Sequence, residues 1–195
     1  MKTLKKLLIL ISVSLIGCSS IKTSDEFKIL PRSYWNANEP KPFKLHVPEK
    51  ITIHHEGTVF NPEKESAASK LKRVQVWGMG AERNWSDIPY HYLIDFEGNI
   101  LEGRNVFTQG ETATEYSPEG HLLITLFGNF EEQVVTEKQY NSLINLLVNS
   151  VKRFNIPPDS IKGHKDFANT LCPGKNLYQF LEDGSLIKDV KAKLK

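Results

Sequence analysis

The run Leu122-Leu123-Ile124-Thr125-Leu126-Phe127 narrows the possible folds more than any other stretch of this chain. It is apolar at every position but one, so a strand built from it needs cover on both faces. The neighbouring sequence can supply that cover. Thr136-Glu137-Lys138-Gln139 has the form of a capping box, in which the Thr and Gln side chains satisfy free amides at a helix start. Tyr140, Leu143, Ile144, Leu147, Val148, Val151 and Phe154 then recur at helical spacing, and Pro157-Pro158 ends the helix. Asn61-Pro62 predicts a second helix start, with Ala67, Leu71 and Val74 on its buried side and an end near Gly78-Met79-Gly80. Strands are predicted at Ile51 to His55, at Ile88 to Asp95 and at Ile100 to Arg104, the last two joined by a tight turn at Glu97-Gly98-Asn99. In the middle strand, Ile88, Tyr90, Tyr92 and Ile94 are expected to share one face. A short strand edge is expected at Ile161, and a polar loop from Gly103 to Gly120 at the rim of a cleft. This order predicts a single α/β domain: one mixed sheet, helices on both faces, and a cleft at the sheet edge. The length, 195 residues, suits one such domain.

The N-terminus reads as a leader. Lys2, Lys5 and Lys6 precede an apolar run from Leu7 to Ile16, too short to span a bilayer comfortably. Leu15-Ile16-Gly17-Cys18 follows and resembles the lipobox of bacterial lipoproteins, in which the cysteine is acylated after cleavage. The expected organisation is a signal peptide over 1–17, a lipidated Cys18 with a polar tether over 18–30, and the folded domain over 31–195. Several acyl chains together anchor a protein stably. The expected location is the cell envelope, held to a bacterial membrane, and the outer membrane facing the periplasm if the cell is Gram-negative. Without the three leader lysines, 22 of the 25 basic residues remain against 23 acidic ones. Such a balance argues against nucleic-acid binding, which needs a basic stripe.

Chemistry concentrates in Gly163-His164-Lys165-Asp166-Phe167-Ala168-Asn169-Thr170-Leu171-Cys172-Pro173-Gly174. Neutral imidazole and thiolate are good zinc ligands. The glycines and proline suggest a loop of fixed shape. A third ligand has to come from elsewhere, and Ile51-Thr52-Ile53-His54-His55 is the best source. Alternation puts His55 with Ile51 and Ile53, and His54 on the opposite face. His54 is therefore the expected ligand and His55 a packing or supporting residue. Asp166 could orient a ligand histidine or cap its own turn. Trp77 and Trp85 could stack on a sugar, or serve as core or rim.

Several motifs occur together in order: Arg32-Ser33-Tyr34-Trp35, Ile53-His54-His55, Ile88-Pro89-Tyr90-His91-Tyr92-Leu93-Ile94, Leu101-Glu102-Gly103-Arg104, Phe127-Gly128-Asn129-Phe130, and Gly163-His164-Lys165-Asp166 through Cys172-Pro173-Gly174. Over residues 32 to 182 the chain resembles the type-2 N-acetylmuramoyl-L-alanine amidases, the superfamily of phage amidase-type lysozymes and peptidoglycan recognition proteins. The resemblance implies cleavage between the lactyl group of N-acetylmuramic acid and L-alanine of the stem peptide. It implies zinc on His54, His164 and Cys172, with Tyr90 as the strand tyrosine. Cys172 stands where recycling members of the superfamily carry an aspartate, and Ile124 to Phe127 lacks their glutamate, which places this chain on the tyrosine branch.

Two imidazoles and a thiolate leave zinc's fourth position for water, whose pKa zinc lowers. The tetrahedral intermediate needs a hydrogen-bond donor, and the Tyr90 and Thr170 hydroxyls are the candidates. Alone, Tyr90 reads as a half-buried strand residue, Thr170 as a loop hydroxyl and Cys172 as a buried inert thiol. The expected partners are peptidoglycan or a muropeptide and, through Cys18, a lipid bilayer, with the protein itself a monomer. The competing expectations are a muropeptide receptor without catalysis, and a thiol hydrolase with Cys172 as nucleophile and His164 as base.

Overall fold

The computed structural model describes residues 27–195. The leader, Cys18 and most of the tether lie outside the described residues. Six strands form one mixed sheet: β1 Ile29–Leu30, β2 Lys50–His55, β3 Tyr92–Ile94, β4 Ile100–Glu102, β5 His121–Leu126 and β6 Ile161–Gly163, in the order β1-β4-β3-β5-β2-β6. Among these strands of the described residues, only β3 and β4 pair antiparallel; every other pair is parallel. The helices are α1 Ala67–Met79, α2 Glu137–Phe154, α3 Lys175–Glu182 and α4 Ser185–Leu194. Among the described residues no helix is long and apolar enough to cross a membrane.

The apolar run sits in the middle of the sheet, and every residue from Leu122 to Phe127 is 0% exposed. Ile51, Ile53, Ile124 and Leu126 meet Leu143, Ile144 and Leu147 of α2, with Leu177 of α3 and Leu186 and Val190 of α4 closing that layer. Leu93 and Leu101 face the other way, onto Leu71 of α1, Trp35 and Phe60. Each fully buried leucine or isoleucine contributes roughly 1.5–3 kcal/mol. Helices thus cover both faces, as the element order requires. The α2 capping box forms as expected: Thr136 Oγ1 accepts the Gln139 amide, and Gln139 Oε1 accepts the Thr136 amide.

Two elements differ from the sequence expectation. Helix α1 starts at Ala67, with Ser66 as its cap, because Asn61-Pro62 forms a turn of its own. Asn61 Oδ1 accepts the Glu63 amide and its carbonyl accepts those of Lys64 and Glu65, but this turn does not run on into α1, because the Ser66 backbone is extended (φ −75°, ψ 153°) and starts the helix afresh. The predicted strand over Ile88 to Asp95 is shorter and begins only at Tyr92. Pro89 has no amide to give a ladder. Beside it the backbones crowd: Gly103 donates to the His91 carbonyl and Arg104 to that of Tyr90. A Cβ on Gly103 would lie 2.2 Å from the Tyr90 oxygen, so glycine is required there. The break reverses the alternation. Ile88 and Tyr90 fall on the α1 side, whereas Tyr92 and Ile94 fall on the α2 side.

The loop from residue 103 to 120 is tied down by buried polar groups. The Arg104 guanidinium donates to the carbonyls of Ile88 and Gln109 and pairs with Glu111, which also accepts the Ser86 amide and hydroxyl. His46 and His91 stack with centroids 5.5 Å apart. Each accepts a backbone amide on Nδ1, from Gly120 and Leu123, and donates from Nε2 to a loop carbonyl, of Val106 and Thr108. A proton added to either Nδ1 would set one N–H against another. Burial holds His46 below the usual histidine range and pushes His91 down to about 3 and His121 down to about 4. Their folded pKa values lie below the unfolded ones, so the unfolded chain takes up more protons and stability falls as pH drops below about 6.5 toward 4. The thermal midpoint of metal-free protein is expected to fall by several degrees between pH 7 and 4; a flat profile would show that these rings charge without cost.

Candidate metal centre

His54 lies near the end of β2, on the face opposite Ile51 and Ile53, and lines the same cleft as Val74 and Trp77 of α1. Its register partner on β5 is Thr125. His164 opens the single 3-10 turn that follows β6, and Cys172 sits just before α3. The fold brings the three together: one ligand atom from each lies within 4.8 Å of the others, and all three residues are buried. Cys172 Sγ is 3.6 Å from His54 Nδ1, and the two imidazole centroids are 4.4 Å apart. The backbone fixes this approach. The His55 amide donates to Cys172 Sγ at 3.3 Å, the Lys165 amide to the Cys172 carbonyl, and the Cys172 amide to Thr170 Oγ1 at 3.2 Å.

These residues fit a divalent cation. Among the described residues, His54 Nε2 and His164 Nδ1 are buried without any hydrogen-bond partner, a state that costs free energy in a folded protein. Burial, followed by the neighbouring imidazole charges, holds His54 well below the usual histidine range; burial first, then His55, takes His164 down to about 4. Both rings are therefore neutral at physiological pH, as ligation requires. Burial pushes the Cys172 thiol up to about 12. A bound cation reverses that, because a coordinating thiol is deprotonated outright. The same thiol makes a poor nucleophile. The imidazole that contacts Cys172 Sγ within hydrogen-bond range is that of His54, at 3.6 Å. The raised thiol pKa and the His54 contact favour ligation over a Cys172–His164 thiol hydrolase, whose activity would survive a chelator.

The remaining candidates are placed as follows. Tyr90 packs against His54 with ring centroids 5.3 Å apart. Burial raises its pKa, so the phenol stays protonated and can donate. The Thr170 hydroxyl supports the Cys172 turn and lines the cleft. His55 turns to the opposite face, as alternation requires; its Nδ1 accepts the Phe130 amide. Asp166 caps its turn, accepting the Gly163 amide and the Tyr178 hydroxyl, and does not contact a ligand ring. Thr114, from the polar loop, is the contact on His164 that the sequence does not reveal. Nothing periodic distinguishes it from Thr112 or Thr108.

The cluster lies in a cleft of about 520 Å³. Lys70 of α1 is 2% exposed and pairs with Glu56 at 3.0 Å, joining α1 to the segment that follows β2. Trp77 and Trp85 stand edge to face at the cleft wall, with the Arg83 guanidinium over both rings. They belong to the rim rather than the core, and Trp77 is half exposed.

Comparison with known proteins agrees with this geometry. Residues 44–175 match the family model described as N-acetylmuramoyl-L-alanine amidase. The chain is 30% identical over 177 residues to peptidoglycan recognition protein 1 of Mus musculus, covering 89% of this chain and 96% of that protein. Among solved structures it is similar to N-acetylmuramoyl-L-alanine amidase LysC from Clostridium intestinale URNW (TM-score 0.63, 30% identity, 86% of this chain and 97% of that one). It is also similar to human PGRP-IBETAC in complex with glycosamyl muramyl pentapeptide (TM-score 0.69, 27% identity, 79% and 94%). With the family model spanning more than half of its length, and the His-His-Cys cluster intact, this chain belongs to the N-acetylmuramoyl-L-alanine amidase family.

Proposed function

We propose that this protein is a zinc-dependent amidase that hydrolyses the bond between the lactyl group of N-acetylmuramic acid and L-alanine in peptidoglycan stem peptides. The observation that carries the reading is the complete His54–His164–Cys172 cluster opening onto a cleft. A protein that only binds muropeptides has no need of a buried thiol facing two neutral imidazoles. The likeness to a structure holding a muramyl pentapeptide supports a muropeptide as the occupant of the cleft.

When bound by these three residues, zinc supplies a Lewis acid and activates water near neutral pH. The chain's own groups do the rest. The Tyr90 phenol, held against His54 and kept protonated by burial, donates a hydrogen bond to the oxyanion of the tetrahedral intermediate and can relay the attacking water's proton to the leaving amine, ending protonated again. Thr170 accepts the Cys172 amide, which leaves its own hydrogen for a substrate oxygen. The exposed face of Trp77 offers a surface for a sugar ring. Acylation at Cys18 with a tether over 18–30 would hold this cleft close to a membrane in the bacterial envelope.

The test is a digest of purified peptidoglycan by the full chain in mild detergent, with chelator and with zinc restored, following new L-alanine amino termini by mass spectrometry. Zinc-restored release of intact stem peptides is expected. Binding of muropeptide without release, in zinc-loaded protein, would identify a receptor instead.

A further inference from the structure

We propose that Thr114 and Thr112 form a hydroxyl chain that fixes which nitrogen of His164 faces the metal, and that this chain sets the affinity of the centre for zinc. The inference rests on the zinc reading above and concerns residues of the polar loop outside the ligand set.

The contacts have a direction. His164 Nε2 lies 2.7 Å from Thr114 Oγ1, and Thr114 Oγ1 lies 2.8 Å from Thr112 Oγ1. The Thr114 amide also donates to Thr112 Oγ1. A hydroxyl has one hydrogen to give. If Thr114 gives its hydrogen to Thr112, its oxygen accepts Nε2–H of His164, and the lone pair of His164 is on Nδ1. If the chain runs the other way, Thr114 donates to Nε2 and the proton of His164 sits on Nδ1. That nitrogen is buried and has no other partner among the described residues, so the reverse order would strand a donor there and block ligation. The first order presents a bare Nδ1 to the cluster. The amide of Thr114, by holding the Thr112 oxygen in place, keeps an acceptor aligned for it.

Metal-bound histidines commonly give their second N–H to a carboxylate or a carbonyl. Here the carboxylate closest in sequence, Asp166, is spent on the Gly163 amide and the Tyr178 hydroxyl. Thr114 takes the place such a carboxylate would fill. Its position is not left to a free loop, because Glu111, next to Thr112, is locked to buried Arg104 and to Ser86. The ion pair therefore acts as the anchor of the hydroxyl chain, and His164 is a positioned ligand rather than a swinging one.

The experiment measures zinc affinity of the full chain in detergent by competition with a chromophoric chelator, for wild type, Thr114→Val, Thr114→Ser and Thr112→Val. Thr114→Val keeps the side-chain shape and removes the hydroxyl; it is expected to weaken zinc binding about 10–100-fold. Thr114→Ser keeps the hydroxyl and should stay within about threefold of wild type, well short of the loss expected for an outer partner. Thr112→Val should weaken binding in the same direction by less. Unchanged affinity in Thr114→Val, or equal losses in Thr114→Val and Thr114→Ser, would overturn the proposal, the second by pointing to loop packing. Thermal unfolding of the metal-free variants checks the fold. Should Thr114→Val not fold, Thr112→Val decides, and wild-type affinity in that variant overturns the chain. Wild-type protein that takes up no zinc would instead defeat the zinc reading itself.

Discussion

Replacing Cys172 by serine is expected to empty the metal centre and to abolish amide hydrolysis. A serine hydroxyl does not give up its proton to zinc as a thiol does, and its shorter bond draws the donor away from His54 Nδ1, 3.6 Å from the present sulfur. The loss should exceed the 10–100-fold typical of an outer partner, so both metal retention and stem-peptide release should drop by more than about 100-fold. The fold should survive, because Cys172 lies at the cleft and the packed layers do not depend on it. Zinc content by mass spectrometry, alongside the release assay, separates the two effects. A Cys172→Ser protein that is fully active would sink the assignment of this residue as a ligand.

Tyr90→Phe should give the opposite pairing: metal retained, turnover lost. Phenylalanine keeps the ring that packs on His54 and removes only the hydroxyl. Loss of one donor to a developing oxyanion lowers kcat by roughly 10²–10³-fold. Substrate affinity should change little if the bond matters only as charge develops. Because burial keeps the phenol protonated, wild-type activity should show no loss on the alkaline side that belongs to Tyr90 below about pH 10. Unaltered kcat in Tyr90→Phe would transfer the donor role to Thr170.

The parts of the molecule that were legible in its sequence are those governed by short-range rules. The α2 stripe and its capping box obey helix periodicity, and the nearly all-apolar run reads as a covered strand. His54 was separated from His55 by alternation alone, and the structure keeps that separation. Where the sequence misled, two local rules competed. Asn61-Pro62 satisfied a turn before it could start a helix, and Ser66 became the cap. Alternation put Tyr90 and Tyr92 on one face, but Pro89 and the close approach of Gly103 broke the strand between them and turned Tyr90 toward the cleft. Asp166 could be either a cap or an orienter until its two partners were seen. Thr114 was invisible for a different reason. Its role depends on where an irregular loop ends up in space, and the buried charges of Arg104 and Glu111 decide that.

The topology of β2 has a consequence for how the protein comes into being. This strand is made early, yet its neighbours in the sheet are His121–Leu126 and Ile161–Gly163, both made much later. Until the last of these has emerged, β2 has an unpaired edge, and His54 waits without the other two ligands. Cooperative structure therefore closes late, around a strand that must be kept from pairing elsewhere. A chain that stops before Cys172 lacks the third member of the cluster. The metal cluster therefore cannot assemble during synthesis before residue 172 has been made.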